Sequence, residues 1–308
     1  MNEKSSLKRK VLVITSSIDT TVDYIINKYE NQADFYRVDV DMFSKYEFII
    51  REDCQWQISC KDWVITKKEI YSVYYRKPRL PNLDNFDKCY HGMISKDIVS
   101  LVNGIVDDFE GKVLSKPYLL RKTENKVFQL LYAGKSGFLL PDSFIGNSSK
   151  VADGFGEMKS IIKPLTTGKV LTKNGIELYQ TNYFDRLWDD ISFTPIYLQK
   201  YINKNFEVRL TYIDGYFFPV RIDSDDKLDW RKNYSGLKYS VVECPDKIRQ
   251  QCEHLLKHFD LNYGAFDFIV NEKNEWIFLE VNPNGQWQWL EHELGLPISE
   301  KIVDYLVR

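Results

Sequence analysis

The stretch Ala265-Phe-Asp-Phe-Ile-Val-Asn-Glu-Lys-Asn-Glu-Trp-Ile-Phe-Leu-Glu-Val-Asn282 decides how this chain is read. Two apolar runs, Ala265–Val270 and Trp276–Val281, flank a polar turn and predict a β-hairpin. Asp267, Glu280 and Asn282 are polar residues set inside these strands. A tight turn at Lys273-Asn274 places Asp267 opposite Glu280, and the strand period of two puts Glu280 and Asn282 on one face. Like charges that close are costly unless a cation neutralises them. All-oxygen ligation by few protein groups suits Mg2+, which completes its shell with water and phosphate oxygens. The flanking Phe266, Phe268, Ile277, Leu279 and Val281 imply a covered opposite face, which argues against a merely solvated polar surface.

Upstream, Ile196–Tyr201 reads as a strand, and Glu207–Ile213 with Tyr216–Ile222 predict a second hairpin about Asp214-Gly215. That turn sets Arg221 opposite Val208, so Arg209 and Arg221 lie on opposite faces and only one can reach the reactive side. Helices over Pro245–Phe259 and Ile298–Leu306 are expected to cover this sheet. In the middle of the chain a helix over Glu124–Gly134, capped by Thr123, carries Lys126 in its first turn, where anions are favoured. The strand Ser160–Lys163 ends in Lys163 before Pro164, and an Asn174-Gly175 turn joins strands Lys169–Thr172 and Ile176–Thr181. The first third alternates strands (Val11–Ser16, Phe35–Val40, Ile70–Tyr75) with helical stretches (Thr21–Tyr29, Met93–Phe109), around a short meander over Tyr46–Ile65. Its basic turn Arg76-Lys-Pro-Arg79 is either a solvated edge or a grip on an acidic peptide. Gly, Ser and Pro cluster near Gly111–Pro117 and mark a boundary there, and a strand-dominated last part follows the middle one, so the expected parts are 1–115, 116–197 and 198–308.

At 308 residues the chain has room for about two domains, or three small ones. With 44% hydrophobic and 28% charged residues it can bury a sizeable core, which excludes a disordered chain. Lys plus Arg number 42 against 44 Asp plus Glu, so no sequence-independent grip on nucleic acid is implied. No apolar run approaches the ~20 residues of a membrane span, and the start has no signal-peptide core. Five cysteines, none in a C-x-x-C pair, fit a reducing, cytoplasmic setting. His254 and His258, near Cys252, have the helical spacing of a zinc pair, but their charged surroundings favour a solvated helix face.

The ordered series Glu124-Asn-Lys126, Ile161-Ile-Lys163-Pro, Leu198-Gln199-Lys200-Tyr201, Glu207-Val-Arg209, Asp229-Trp-Arg231, Asp267 and Phe278-Leu-Glu280-Val-Asn282-Pro-Asn-Gly-Gln-Trp287 resembles the ATP-grasp ligases. More narrowly, the Leu279–Trp287 string and Tyr75-Arg76-Lys77-Pro78 resemble the microviridin-like branch that cross-links peptides by ω-esters or ω-amides, the graspetide maturases. The resemblance implies an α+β protein of ATP-grasp fold with an α/β N-terminal part. ATP then lies between a central α+β domain and a mainly antiparallel C-terminal sheet. It implies that Lys126 and Lys163 face phosphates, that the hinge Gln199, Lys200, Tyr201 and Ile202 meets adenine, and that Glu207 meets ribose. Asp267, Glu280 and Asn282 match the ligands of a pair of Mg2+ ions. Arg221 matches by position the arginine aimed at an acyl phosphate, with Arg209 and Arg231 as further basic candidates. The implied partner is a ribosomally made precursor of leader and core, with Tyr183-Phe-Asp-Arg-Leu-Trp-Asp-Asp190 as a candidate leader grip. A homodimer is compatible with this; nucleic acid and membrane are not expected partners. The rivals are a RimK-like or D-Ala–D-Ala-like ligase using a small amino acid, and a non-catalytic peptide-binding protein.

Overall fold

Val11–Ile14 is an uninterrupted run of branched aliphatic residues, all buried, as expected of a strand covered on both faces. The structure is a computed structural model, and it describes residues 8–166, 169–172, 175–178, 181–186, 190–228, 230 and 236–308. The chain forms two compact units. The first holds β1 (Arg9–Thr15), α1 (Thr20–Tyr29), β2 (Ala33–Asp39), β3 (Glu47–Ile50), β4 (Trp56–Ser59), β5 (Val64–Thr66), β6 (Ser72–Tyr75), α2 (Lys88–Asp107) and β7 (Lys112–Leu114). Strands β2-β1-β6-β7 make a parallel sheet in that order, and β3-β4-β5 an antiparallel meander. Ile98, Val102, Ile105 and Val106 recur at helical spacing on α2 and bury its inner face in the same core as Leu12, Ile14 and Val73.

After α3 (Pro117–Thr123) the second unit contains α4 (Lys126–Lys135), β8 (Ser143–Gly146), α5 (Ser149–Gly156), β9 (Ser160–Lys163), β10 (Lys169–Thr172), β11 (Gly175–Leu178), β12 (Asn182–Phe184) and β13 (Ile196–Lys200). It continues with β14 (Lys204–Ile213), β15 (Tyr216–Asp223), β16 (Lys238–Val241), α6 (Asp246–Phe259), β17 (Tyr263–Asn271), β18 (Trp276–Asn282) and α7 (Gln288–Leu294). A four-stranded sheet runs β12-β9-β13-β8, and a five-stranded sheet runs β16-β15-β14-β17-β18, in which β16, β15 and β14 pair antiparallel with one another in turn and β17 pairs antiparallel with β18. Phe266 and Phe268 each pack edge to ring on Phe278, and α6 buries Leu255, Leu256 and Phe259. Thr172 pairs with Gly175 in the β10–β11 hairpin, whose expected turn lies outside the described residues.

Two expectations are corrected. The last helix, α8 (Ile298–Val307), covers β1, β6 and β7 of the first unit, not the C-terminal sheet. Its Ile298, Ile302, Val303 and Leu306 are fully buried, and Ser72 Oγ donates to Leu306 O at 2.7 Å. The cap of α4 is Asn125, whose Oδ1 accepts from Phe128 N at 3.1 Å, rather than Thr123. Asn125 is a better cap than its neighbours because its short amide reaches the free N–H groups of the first turn.

Candidate active site

The β17–β18 hairpin pairs Asp267 with Glu280 and Ala265 with Asn282. The route to this register differs from the expected tight turn. Asn271 N donates to Glu275 O at 3.2 Å, so the connection is longer, and below Asp267 the partners are Phe268 with Phe278. A bulge that leaves Leu279 without a ladder partner restores the pairing above it. Directly opposed carboxylates with an amide oxygen further along the same strand face form a hard-oxygen donor set of the kind Mg2+ takes.

Around this pair the second unit gathers cations and a clamp. Lys126 is the first residue of α4; its Nζ lies 4.0 Å from Glu280 Oε2 and donates to Pro164 O at 2.8 Å. Lys163 Nζ sits 5.1 Å from the centre of the Tyr197 ring. Lys126, Lys163, Tyr197, Gln199 and Glu280 line one narrow pocket. Burial, with a smaller push from the Glu280 charge, drives the Tyr197 phenol up to about 12, against hydrogen bonds with Ser143 and Gln199 that lower it. Gln129, which the sequence reading does not single out, is buried on α4 and grips β18 between Glu280 and Asn282. Its Nε2 donates to Val281 O at 2.8 Å and its Oε1 accepts from Val281 N at 3.0 Å. A buried glutamine inside a helix offers no spacing signal by which sequence alone would find it.

Beyond this pocket the strand β13 runs into the expected hinge. Gln199 is buried, its Nε2 donating to Tyr197 Oη at 2.7 Å and Ser143 Oγ at 2.9 Å. Lys200, Tyr201 and Ile202 line a cavity of about 400 Å3 with Asp142, Asn203 and Ile277. Glu207, buried, has Lys204 Nζ 3.2 Å away.

The arginines resolve by face. Val208 pairs with Arg221 as expected, and Arg209 Nη1 donates to Asp267 Oδ1 at 2.7 Å, both side chains buried. Arg221 lies on the other face, its guanidinium 4.1 Å from the Phe206 ring centre and doubly bonded to Asp223. Side chains alternate along β14 and β15, so the Asp267 face takes Arg209 while Arg221, the arginine matched by position, lies on the opposite face. Arg231 lies outside the described residues, as do residues 187–189 of the candidate leader grip. Among the described residues no group of three or more His, Cys, Asp or Glu forms a metal cluster, and His258 stacks on Tyr132 at 3.7 Å. A set of two carboxylates and one amide is smaller than such a cluster and fits an ion that completes its shell with phosphate and water.

No protein family model and no curated protein matches the chain. Solved structures do. A Chryseobacterium gregarium RiPP-associated ATP-grasp ligase, solved in complex with ADP and a leader and core peptide, is 25% identical at a TM-score of 0.88, covering 97% of this chain and 96% of that one. The macrocyclase MdnC from Microcystis aeruginosa, bound with precursor peptide MdnA, is 25% identical at 0.86, covering 97% and 99%. The macrocyclase MdnB from the same organism is 26% identical at 0.82, with the same coverage. Fold and site together define an ATP-grasp ligase. Within that class the chain's likeness is to the enzymes that mature ribosomally made peptides, the graspetide maturases. Among the described residues no helix is long and apolar enough to cross a membrane.

Proposed function

We propose that this chain uses ATP to activate Asp or Glu side-chain carboxylates of a precursor peptide and joins them to Ser or Thr hydroxyls, or to Lys amines, closing rings. A carboxylate oxygen attacks the γ-phosphorus of ATP and ADP departs, leaving an acyl phosphate. The hydroxyl or amine then attacks the acyl carbon, loses its proton and expels inorganic phosphate. Such transfer needs charge neutralisation and positioning more than a protein nucleophile. Lys126 and Lys163 would hold phosphate oxygens, the 199–202 hinge the purine, and Glu207 the ribose. Asp267, Glu280 and Asn282 would hold Mg2+, which when bound supplies charge neutralisation for the phosphates. Arg209, bonded to Asp267, fixes that carboxylate's direction and adds positive charge on the reactive face.

The observation that carries this reading is the Asp267–Glu280 ladder pair with Lys126 beside it. It stands on a fold shared with ligases solved with ADP and with leader, core or precursor peptides, which favours a peptide over a free amino acid as acceptor. Use of ATP and five unpaired cysteines fit a cytoplasmic enzyme. The test is co-expression with a precursor encoded beside the gene, followed by mass spectrometry. Each ring removes the mass of one water, and a precursor that stays unmodified in the presence of Mg2+ and ATP would overturn the reading.

A further inference from the structure

Strand β18 lies at the edge of its five-stranded sheet, with β17 as its ladder partner. An edge strand carries outward-facing N–H and C=O groups, which need other partners once they are buried. Two such groups belong to Val281, a residue 1% exposed that stands between Glu280 and Asn282. Their partner is a side chain. Gln129 Nε2 donates to Val281 O at 2.8 Å, and Gln129 Oε1 accepts from Val281 N at 3.0 Å. One side-chain amide thus takes the place that the backbone of a further strand would fill. The same Nε2 donates to Thr123 O at 2.6 Å, so the whole amide is engaged between the start of α4 and β18. Gln129 is itself 5% exposed, an uncommon setting for a glutamine.

The charges explain why a clamp is needed at this place. Asp267 and Glu280 oppose each other across the ladder, and like charges so placed push apart. Asp267 is restrained by Arg209, whose Nη1 donates to it at 2.7 Å. Glu280 stands beside the bulge, where Leu279 has no ladder partner, so the ladder holds it weakly on that side. On its other side the next residue is Val281, gripped by Gln129. Successive side chains leave a strand on alternate faces, so fixing both peptide groups of Val281 fixes the directions of Glu280 and Asn282 together. Lys126 lies three residues before Gln129 on the same helix, a spacing that puts both on one face, and its Nζ is 4.0 Å from Glu280 Oε2. We propose that Gln129 is a positioning residue for the metal site: its amide holds β18 against the repulsion of the carboxylates, so that Glu280 and Asn282 converge with Asp267 on Mg2+. This rests on the Mg2+ assignment within the ligase reading.

The test measures ADP affinity of the full chain by calorimetry, with Mg2+ and with EDTA, and Mn2+ binding to the ADP complex by electron paramagnetic resonance. Gln129→Met keeps the length of the side chain and fills its space, but removes all three hydrogen bonds. Gln129→Asn, one methylene short of Val281, is the second variant should the first not fold. Leu255→Val, at a fully buried position of α6, is the control for general destabilisation. Each Gln129 variant is expected to bind ADP in EDTA as wild type does. It loses about tenfold of the affinity gained with Mg2+ and holds Mn2+ about tenfold more weakly, the scale for losing a group that orients metal ligands. Leu255→Val lowers the urea midpoint and keeps the Mg2+ gain. The proposal is overturned if the folded Gln129 variant keeps the wild-type gain, if its ADP affinity falls equally with and without Mg2+, or if Leu255→Val loses the gain as well. A wild type without any Mg2+ gain overturns it together with the metal assignment. A wild type that shows the gain yet closes no ring in a precursor counts against the peptide-ligase reading alone.

Discussion

Replacing Glu280 by Gln keeps the shape of the side chain and removes its charge from the Asp267 pair. Glu280→Gln should fold normally and lose roughly 10²–10³-fold in ATP-dependent ring formation, the scale for removing one charge-stabilising group. Near wild-type rates in a mass-spectrometric time course would rule out Glu280 as a metal ligand. Lys163→Ala should weaken ATP binding by roughly 1.5–3 kcal/mol, the usual worth of a hydrogen bond to a charged group; calorimetry with unchanged affinity would return Lys163 to the surface. Tyr197 gives a pH signature. Its folded pKa of about 12 lies above the ~10 of an unfolded tyrosine, so the native state holds its proton more tightly. The associated stability is complete below ~10 and is lost as pH rises toward ~12. Urea midpoints at pH 9 and pH 11 should therefore fall further for wild type than for Tyr197→Phe, and equal falls would remove Tyr197 from the account. Of these residues Asp267 and Glu280 stand out in the sequence, because a charge inside an apolar strand breaks the pattern, whereas Lys126 and Lys163 are picked out only by the resemblance to a family. Tyr197 and Gln129 are not, because a tyrosine in a strand and a glutamine in a helix break nothing.

Strand β18 and the loop after it show how closely one element constrains another. A Cβ on Gly285 would fall 2.4 Å from Ala265 Cβ, a clash with a side-chain stub that cannot swing away, while Asn282 O at 3.4 Å stays at ordinary contact. Gly285→Ala should therefore push the loop off β17, displace Asn282 and lower both stability and turnover. The second-site change Ala265→Gly should recover part of the loss, since it deletes the atom in the way. Denaturation midpoints of the two single variants and the double variant decide this, and strict additivity would place the strain elsewhere. The hairpin itself teaches something about reading sequence. Alternation of apolar residues identifies its strands, but the pairing of Asp267 with Glu280 arises from a longer turn and a compensating bulge at Leu279. Local chemistry gives the bulge no signature, so the expected partners are right for an incomplete reason. The opposite faces of Arg209 and Arg221 follow from the strand period alone, and the structure keeps them so.

The chain enters the first unit three times: through Arg121, at Leu261–Tyr263, and at Pro297–Arg308. That discontinuity is the least legible feature in the sequence, since an amphipathic helix does not state which sheet it will cover. Removing residues 297–308 should uncover β1, β6 and β7. Burial of the four aliphatic side chains of α8 is worth ~1.5–3 kcal/mol each, comparable with the whole ~5–15 kcal/mol stability of a domain. The shortened chain is expected to aggregate or to lose its cooperative melt in circular dichroism; a melt like that of the intact chain would show α8 to be dispensable. Its position has a further consequence for biosynthesis. A ribosome adds ~5–20 residues per second, so the helix that closes the first sheet emerges roughly 10–40 s after Arg121. During that interval the nascent parallel sheet stays open on the face α8 will cover, while the second unit, apart from its final segment, is already outside the ribosome. The first unit therefore begins first and finishes last, with that apolar face uncovered in the interval.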